Sequence, residues 1–322
     1  AIGVTPESAL AKEAGLDLGI KGSILVNDRM ETSAPDIYAV GDSVQVKHYV
    51  TGEAALIALA GPANKQGRIA ADNICGGDSR YLGSQGSSVI KIFDMTAAAT
   101  GINETNAKKA GLDVDKVILS PMSHAGYYPG GKLMTMKVVF EKETYRLLGA
   151  QIVGYEGVDK RIDVLATAIH AGLKATQLKN LDLAYAPPYS SAKDPVNMAG
   201  FMIDNIANGT MKQWYLEDAY QLPRDGSVTL LDTRTVGEYS SGHIEGFVNI
   251  PVDELRERIG EIEAGKPVYV ICQSGLRSYI ATRILEGYGF EAYNFAGGFR
   301  FYDAVVNDRA LIEKAYSCGM DK

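Results

Sequence analysis

Apolar and polar positions in the middle of the chain follow two different rhythms. Apolar runs too short for helices predict β-strands, and the last two runs flank residues 141–146, which indicates a hairpin. Residues 105–110 and 161–171 are helix-like; the second segment carries apolar residues at helical spacing, and Gly172 is placed to end it. An α+β arrangement is therefore expected over residues 81–208. The predicted strands are residues 88–93, 115–120, 134–140 and 147–153.

The first 75 residues predict short extended runs followed by a helix. Residues 23–27 and 37–40 are strand-like, and the second run leads into Gly41 and Asp42. A glycine lets the backbone approach a ligand closely, and a carboxylate accepts hydrogen bonds from ligand hydroxyls. Pro62 suits the first position of a helix that follows a turn of small residues. The first residues resemble the end of a β-strand for which the sequence shows no partner strand. We therefore expect the chain to start within a domain.

The most informative pattern lies near the C-terminal end. Residues 268–271 form a short apolar run that ends in Cys272, and a glycine-containing turn leads to Arg277 and a helix-like segment over 279–285. That order places one thiol on a strand-to-helix turn, where free backbone N–H groups and the positive end of the helix dipole converge. A thiolate is stabilised there, so Cys272 is expected to be a nucleophile.

Composition narrows the class of protein. A length of 322 residues predicts about two domains, and no apolar run approaches the roughly 18 residues of a membrane helix. A net charge of −7 does not indicate a basic surface that would bind nucleic acid. Three cysteines are not a disulfide framework and suit the reducing cytoplasm, with Cys75 a structural residue and Cys318 in a tail. Four scattered histidines predict no metal site.

The segment from Cys272 to Arg277 resembles the six-residue active loop of rhodanese-like sulfurtransferases. Residues 231–234, 242–246 and 296–298 match further motifs of that family, and the resemblance covers roughly residues 215–305. It implies that the cysteine accepts a sulfane sulfur as a persulfide and that Arg277 is catalytic. The related phosphatases use a loop one residue longer, so six residues favour sulfur over phosphoryl transfer. The implied substrate-binding residues of the loop are Gln273, Ser274, Gly275 and Leu276.

The front of the chain resembles a different family. Residues 32–42 are similar to the second flavin motif of the disulfide reductases with two dinucleotide domains, and residues 59–68 continue the match. The resemblance implies that FAD is bound, with Asp42 on its ribityl chain, and that NAD(P)H is the reductant. Its glycine-rich loops and flavin-proximal cysteine would lie before residue 1, so this chain alone is expected to lack reductase activity. The implied FAD contacts are Gly41, Asp42, Leu59 and Ala60.

Residues 123–130 and 185–197 resemble the dimerisation domain of the coenzyme A-disulfide reductase branch of the same family. In that branch, two tyrosine hydroxyls of the partner subunit approach the catalytic cysteine beside the flavin. The matching residues here are Tyr127 and Tyr185. Lys193 and Asn64 match residues that contact coenzyme A. The resemblance therefore implies a homodimer and coenzyme A as a ligand.

These observations predict a chain of α/β and α+β class in three parts. Residues 1–80 are the remnant of a Rossmann-like FAD-binding domain, and residues 81–208 are an α+β dimerisation domain. Residues 209–217 are a linker, and residues 218–322 are a rhodanese-like α/β domain.

The function expected for the intact protein is reduction of coenzyme A disulfide, coenzyme A persulfide or polysulfide by NAD(P)H through FAD, coupled to sulfur transfer at Cys272. The expected protein is cytoplasmic and binds neither nucleic acid nor membrane. Two alternatives stay open. One is an NADH oxidase or peroxidase with an accessory rhodanese domain, and the other is a non-catalytic module for dimerisation and sulfur sensing.

Overall fold

A computed structural model describes residues 3–317, with side chains as far as residue 308. Cys318 lies outside the described residues. The first region, residues 3–80, consists mainly of turns around short elements. Strands β1 and β2 pair antiparallel, and α2 is the one long helix of this region. Its elements are α1 (Ala9–Glu13), β1 (Val46–Lys47), β2 (Ala54–Ala55) and α2 (Ala60–Ile74).

Two local predictions for this region are wrong. The runs 23–27 and 37–40 make only isolated bridges, one joining Ile24 to Val44, because each extended piece is bounded by turns and is too short to pair further. Pro62 occupies the third position of α2 rather than the first, since Leu59 is the N-cap. Proline is still tolerated there, because the first-turn amides have no partner within the helix.

The antiparallel region, residues 81–208, contains a five-stranded sheet in the order β3-β4-β7-β6-β5, with every neighbouring pair antiparallel. The helices α4 and α5 contact each other, α4 packs on β4 and β7, and α5 contacts β5. The elements are β3 (Ser88–Ile92), β4 (Met95–Gly101), α3 (Glu104–Lys109), β5 (Val114–Leu119), β6 (Met134–Glu141), β7 (Leu147–Gly154), α4 (Val158–His170) and α5 (Pro195–Ala207).

The apolar pattern located most of these elements. The four predicted strands, the hairpin and both predicted helices are confirmed to within a few residues, and Gly172 follows the end of α4 with φ +69°. The apolar pattern did not predict two elements of this region, β4 and α5. Strand β4 is rich in alanine, and its pairing with β3 and β7 decides its structure. Helix α5 begins inside a proline-dense segment, where Asp194 caps the helix and Pro195 takes its first position.

The parallel region, residues 209–317, contains a second five-stranded sheet in the order β10-β9-β11-β12-β8, and all its pairs are parallel. This confirms the α/β expectation for the C-terminal part. The elements are β8 (Gln213–Trp214), α6 (Leu216–Ala219), β9 (Thr229–Asp232), α7 (Val236–Ser240), β10 (Val248–Asn249), β11 (Val268–Ile271), α8 (Leu276–Gly287), β12 (Ala292–Phe295) and α9 (Gly298–Ser317).

The segment predicted as a linker, residues 209–217, contains regular secondary structure. Its strand β8 pairs with β12 at the edge of the parallel sheet, and Trp214 is buried against Phe295 with ring centroids 4.3 Å apart. The hydroxyl of Tyr215 donates a hydrogen bond to the Asp115 carboxylate of the antiparallel region at 2.5 Å. Side chains of residues 209–217 therefore attach the two sheets to each other. The exact domain boundaries stay predictions.

Strand direction decides where the chemistry can occur. In a parallel sheet all carboxyl ends lie along one edge, so the segments after β9, β11 and β12 meet there. Cys272 directly follows β11, and the Ala296–Gly298 turn directly follows β12. The end of the antiparallel sheet is close to the same edge, because the Ser120 hydroxyl donates to the Gly297 carbonyl at 3.3 Å.

Candidate functional site

Cys272 lies at the end of a buried strand and has an exposed fraction of 0%. Its Sγ accepts hydrogen bonds from the Gly275 amide and from the Ser278 hydroxyl, each at 3.2 Å. Gly275 is the N-cap of α8 and has φ +99°, a conformation that favours glycine. The loop therefore curls over the sulfur and directs hydrogen-bond donors at it, which is the arrangement that stabilises negative charge on sulfur.

The turn after β12 stabilises this loop through backbone hydrogen bonds. The Phe299 amide donates to the Cys272 carbonyl at 2.7 Å, and the Arg300 amide donates to the Gln273 carbonyl at 3.2 Å. A Cβ at Gly298 would lie 2.6 Å from both the Gln273 carbonyl oxygen and the Ser274 amide nitrogen, and Gly298 also has φ +72°. Glycine is thus required there by close approach of the active loop as well as by backbone conformation.

The guanidinium of Arg277 points to a carboxylate of the neighbouring helix. Its two terminal nitrogens each donate to a Glu238 oxygen at 2.7 Å, in a bidentate pair. The hydrogen bonds from Arg277 lower the pKa of Glu238 to about 2. Glu238 also completes the capping box of α7 with Thr235. Arg277 is therefore a fixed side chain whose charge is largely compensated by Glu238.

Two buried polar residues near the sulfur were missed from the sequence. The Ser278 hydroxyl, fully buried, contacts the Asn294 side-chain oxygen at 2.5 Å as well as the Cys272 sulfur. The Gly275 carbonyl is a third acceptor at 3.2 Å, and because a hydroxyl has one proton, Ser278 donates to one of these three groups at any moment. The available signals were a serine directly after Arg277 and a single asparagine in the apolar strand β12.

The active loop also lines a cavity shared with the antiparallel region. This cavity, about 290 Å³ in volume, is enclosed on one side by Ser274, Gly275 and Leu276. Lys193 and methionine side chains of α5 form the other side. The fold thus brings the predicted coenzyme A contact Lys193 next to three predicted substrate-binding residues of the loop, which come from more than 80 residues later in the sequence. The apolar walls suit a thioether or alkyl chain.

Tyr127 and Tyr185 form a pair. Their hydroxyl oxygens lie 2.6 Å apart, and the side chains are 76% and 44% exposed. The hydrogen bond with Tyr127 raises the pKa of Tyr185, so the Tyr185 phenol is held protonated. The two predicted tyrosines, separated by 58 residues in sequence, are therefore joined and point their hydroxyls to the surface.

A buried arginine positions this pair, although nothing in its local sequence indicates such a role. Arg161 of α4 is 1% exposed and makes an ion pair with Asp194 at 3.0 Å. The same guanidinium donates to the Ser123 carbonyl at 2.9 Å and to the Ser190 hydroxyl at 3.1 Å. Because Ser123 begins the Tyr127 loop and Ser190 follows Tyr185, Arg161 ties the two tyrosine-bearing segments together.

The residues predicted to contact FAD form a separate group. The Gly41 amide donates to the buried Gln66 side-chain oxygen at 2.7 Å, which holds the Gly41–Asp42 turn against helix α2. Gly41 has φ +88° with open space at its Cβ position. The Asp42 side chain is exposed. These features fit a backbone that approaches a ligand closely beside a carboxylate that accepts from its hydroxyls.

The start of α2 continues this group. Leu59 is half-buried and is the N-cap, yet it makes no side-chain capping hydrogen bond, so the first amides of the helix, beginning at Ala60, remain available to an acceptor. The Asn64 amide donates to the Ala60 carbonyl at 2.8 Å and is exposed. Among residues 3–308, no hydrogen bond or ion pair links this group to Tyr127 or Tyr185.

Three family descriptions match consecutive parts of the chain. Residues 1–67 match the pyridine nucleotide-disulphide oxidoreductase family, and residues 87–195 match its dimerisation domain. Residues 215–304 match the rhodanese-like domain. Within the described residues, no helix is both long and apolar enough to cross a membrane.

Several proteins are similar to long parts of this chain. The NAD(P)H sulfur oxidoreductase (CoA-dependent) of Pyrococcus furiosus is 40% identical over 196 residues, which are 61% of this chain and 44% of that protein. The crystal structure of reduced Bacillus anthracis CoADR-RHD is 47% identical to this chain, with a TM-score of 0.92. The match covers 96% of this chain and 56% of the Bacillus anthracis chain. The structure of a NAD-dependent persulfide reductase from A. fulgidus is 42% identical, with a TM-score of 0.86. This match covers 93% of this chain and 55% of the A. fulgidus chain.

This chain spans about half the length of the relatives that it matches. Its two reductase matches cover the first part and the antiparallel region, and the rhodanese match covers the parallel region. The protein therefore belongs to the pyridine nucleotide-disulphide oxidoreductase family and carries a rhodanese-like domain at residues 215–304.

Proposed function

We propose that the whole protein is an FAD-dependent oxidoreductase that uses NAD(P)H to reduce coenzyme A disulfide, coenzyme A persulfide or polysulfide, and that Cys272 transfers sulfane sulfur. The observation that carries this proposal is the cavity in which Lys193 lies beside Ser274, Gly275 and Leu276. It joins a predicted coenzyme A contact to the sulfurtransferase loop. The names of the Pyrococcus furiosus and A. fulgidus relatives support the same substrate class.

The chemistry at Cys272 is a sulfur transfer without net change in oxidation. The thiolate of Cys272 attacks the terminal sulfur of a persulfide anion, R–S–S⁻. A new S–S bond forms to Cys272, the old S–S bond breaks, and the thiolate R–S⁻ leaves with the electron pair. The Gly275 amide and the Ser278 hydroxyl, both 3.2 Å from Sγ, are placed to stabilise the negative charge on the attacking sulfur.

The reductase half would use Tyr127 and Tyr185 across a homodimer. Both phenols are at the surface of the subunit, so a thiolate of a partner subunit could approach them. A phenol is protonated at neutral pH and can donate a hydrogen bond and a proton to that thiolate. The match of residues 87–195 to a dimerisation domain supports a two-fold assembly.

Obligate interfaces of this kind usually bury more than about 2,000 Å² in total. The intact protein with flavin bound is therefore expected to sediment as a dimer at all accessible concentrations. A monomer in sedimentation equilibrium under those conditions would contradict the homodimer.

The residues of the first region fit part of an FAD site. Asp42 and Gly41 would hold the ribityl chain, and the start of α2 at Leu59 and Ala60, with the Ala60 amide free, would face an oxygen of the flavin ring. When bound, FAD supplies the passage of electrons from the nicotinamide to sulfur. Asn64, exposed on the first turns of α2, would contact coenzyme A near the same place. A protein with three scattered cysteines and this chemistry belongs in the reducing cytoplasm.

Tethering explains why the two activities are fused. A short connection raises the effective concentration of one site at the other to roughly millimolar. We expect coenzyme A persulfide to be the shared intermediate, since its long pantetheine arm can carry sulfur between a thiol in the reductase and Cys272. The apolar cavity beside Lys193 is where that arm would enter the sulfurtransferase half.

Steady-state kinetics of the full-length protein test the whole proposal. NADH-linked rates with coenzyme A disulfide, coenzyme A persulfide, polysulfide and oxygen are compared for the wild type and for Cys272→Ser. We expect fast sulfur-dependent turnover that falls in the variant for polysulfide and stays unchanged for the disulfide.

Two results would favour the alternatives. Equal polysulfide rates in both proteins, with oxygen as the best acceptor, would indicate an oxidase with an accessory domain. A stable persulfide on Cys272 that is never passed to a thiol would indicate a sensing module.

A further inference from the structure

A second cavity, about 680 Å³ in volume, also borders the active loop. It lies between the two sheets: Lys132 and Tyr155 belong to the antiparallel region, and Gln273, Ser274 and Arg300 belong to the parallel region. The cavity is therefore a composite of both halves of the chain. Ser274 and Ser120 line this cavity and also the apolar one beside Lys193, so the two cavities adjoin.

The charge of this second cavity is opposite to that of the chain. The chain carries a net charge of −7, yet no aspartate or glutamate is among the residues that line the cavity. Three lining residues are cationic: Lys132, Arg277 and Arg300. Arg277 is compensated by its bidentate pair with Glu238, whereas Lys132 and Arg300 make no ion pair with any residue between 3 and 308. Within residues 3–308, two cationic residues without an ion-pair partner therefore line one cavity.

The backbone fixes both cations at the cavity. Arg300 is tied to the active loop, since its amide donates to the Gln273 carbonyl at 3.2 Å, and its side chain is half-buried. Lys132 is tied to Ser123, whose amide donates to the Lys132 carbonyl at 2.6 Å and whose hydroxyl accepts from the Lys132 amide at 3.0 Å. The two walls are therefore held by hydrogen bonds to structured segments, and only the ends of the side chains need to adjust.

The active loop itself cannot supply this charge. Its side chains between Cys272 and Arg277 are uncharged, and the Arg277 guanidinium is already engaged by Glu238. Sulfane sulfur carriers are often anionic, and hydrogen bonds from Lys or Arg to an oxyanion are stronger than those from uncharged donors. The missing charge is available from outside the loop, one cation from α9 and one from the other half of the chain.

We propose that Lys132 and Arg300 form an anion-binding subsite that positions the oxyanion group of the sulfur carrier in front of the active loop. The inference rests on the proposed sulfur transfer at Cys272 and adds its specificity determinants. The ligand class is an oxyanion borne by a sulfur carrier. That oxyanion is the sulfonate of a thiosulfate-type donor or a phosphate of coenzyme A persulfide.

Both carriers give a balanced step. With thiosulfate, the Cys272 thiolate attacks the outer sulfur, a Cys–S–S⁻ persulfide forms, and sulfite leaves with the electrons of the broken S–S bond. With coenzyme A persulfide, the same attack releases the coenzyme A thiolate. In either case the oxyanion stays on the leaving group, so Lys132 and Arg300 bind the donor and its product but not the transferred sulfur.

Direct binding tests the subsite without any reaction. In a Cys272→Ser background, thiosulfate and coenzyme A are titrated by calorimetry into the chain, and then into versions that also carry Lys132→Gln, Arg300→Gln or both. We expect the double variant to weaken binding of at least one ligand by tenfold or more, about 1.4 kcal/mol, and each single variant to weaken it less. Raising the salt concentration should weaken binding by the parent chain and have little effect on the double variant.

A matched control removes a positive charge elsewhere. Lys91 is exposed on β3 and does not line the cavity, so Lys91→Gln should leave both affinities unchanged. Weakening for thiosulfate alone assigns the subsite to a sulfonate, and weakening for coenzyme A alone assigns it to a phosphate. Absence of binding to the parent chain, or equal affinities for the double variant and the control, overturns the proposal.

A separate measurement distinguishes this inference from the proposed function. Persulfide formation on Cys272 of the otherwise native chain is followed by peptide mass spectrometry, with the same Lys132 and Arg300 substitutions. The concentration of donor for half-maximal loading should rise as affinity falls, while loading at saturation is retained. If the subsite binds anions as expected but Cys272 never acquires sulfur, the sulfur-transfer function is wrong and the anion site stands.

Discussion

The two sheets present their functional groups in opposite ways. In the parallel region, Cys272 is fully buried at the carboxyl edge and every donor to its sulfur comes from the adjacent loop and helix. In the antiparallel region, Tyr127 and Tyr185 are exposed, and the charged group that positions them, Arg161, is buried beneath them. The Cys272 site surrounds its sulfur with hydrogen-bond donors. The tyrosine site instead exposes its two hydroxyls at the surface, above a buried ion pair.

This difference separates a self-contained site from an incomplete one. A cysteine with its own donors can accept sulfur without a further subunit. Two surface phenols have no reactive partner of their own within the described residues, so their chemistry requires a group supplied from elsewhere. The comparison predicts that disturbing the cysteine abolishes one activity outright, whereas disturbing the tyrosine support acts through stability and geometry.

The largest expected effect is at Cys272. After incubation with thiosulfate or polysulfide, Cys272→Ser should lose sulfur loading more than about 1,000-fold, because a hydroxyl is a far weaker nucleophile than a thiolate. Peptide mass spectrometry measures the persulfide. Cys75→Ser is the control: Cys75 is exposed but lies outside any loop of this kind, so loading should be unchanged. Equal loading of Cys75 and Cys272 would contradict a dedicated sulfur site.

The second effect is on the buried support of the tyrosines. Arg161→Met leaves the Asp194 carboxylate buried without its cation, and the free energy of unfolding should fall by about 3–5 kcal/mol. Urea denaturation at neutral pH measures this. Arg258→Met removes only exposed ion pairs of the parallel region and should have little effect. A loss below about 1 kcal/mol for Arg161→Met, or a loss equal to that of Arg258→Met, would show that the arginine is not the support of this region.

The third effect concerns the ion cluster around Glu104 in the antiparallel region, which reaches Glu217 of the parallel region through Lys116 at 3.4 Å. Burial raises the pKa of Glu104, but hydrogen bonds from Lys108, Lys137 and Lys116 outweigh it and lower the pKa to about 2. A depressed carboxyl pKa contributes stability that is complete above about pH 4.5 and is lost as the pH falls towards 2. Solvent reaches part of the cluster, so the contribution is about 1–2 kcal/mol.

The difference in unfolding free energy between wild type and Glu104→Gln isolates this contribution. It should be largest at neutral pH and should shrink steadily below pH 4.5, as measured by urea denaturation at several pH values. The matched control is Glu263→Gln, whose carboxylate makes only an exposed local pair with Lys266. A difference that is constant between pH 7 and pH 3 would show that the Glu104 cluster does not stabilise the fold through its charge.

The smallest effect is within the tyrosine pair. Tyr127→Phe removes the hydrogen bond that raises the pKa of Tyr185, so the Tyr185 pKa should fall towards its ordinary value. Carbon-13 NMR of labelled tyrosine rings over a pH titration measures it. Tyr189→Phe, an exposed tyrosine of the same segment, should leave the Tyr185 pKa unchanged. The same pKa in Tyr127→Phe and wild type would mean that the two hydroxyls are not paired in solution.

Local sequence was sufficient to predict the turn that carries Cys272. The order of apolar strand, cysteine, glycine turn and helix covers 20 residues, and the geometry of a strand-to-helix turn follows from those residues alone. The same holds for the predicted strands of the antiparallel region, because their apolar runs match the period of a pleated sheet. Strand β4 and helix α5 escaped prediction, since alanine and proline residues carry little signal by themselves and neighbouring elements decided their structure.

Only the tertiary structure decided how distant residues combine. Arg161 looks like any polar residue of an amphipathic helix, and only folding places it between Ser123 and Asp194. Lys132 and Arg300 are 168 positions apart, yet they line one cavity because the antiparallel sheet ends beside the active edge of the parallel sheet. Hydrophobic periodicity encodes which face of an element is buried, whereas the packing of whole elements fixes which polar groups meet, and that depends on contacts with no local signature.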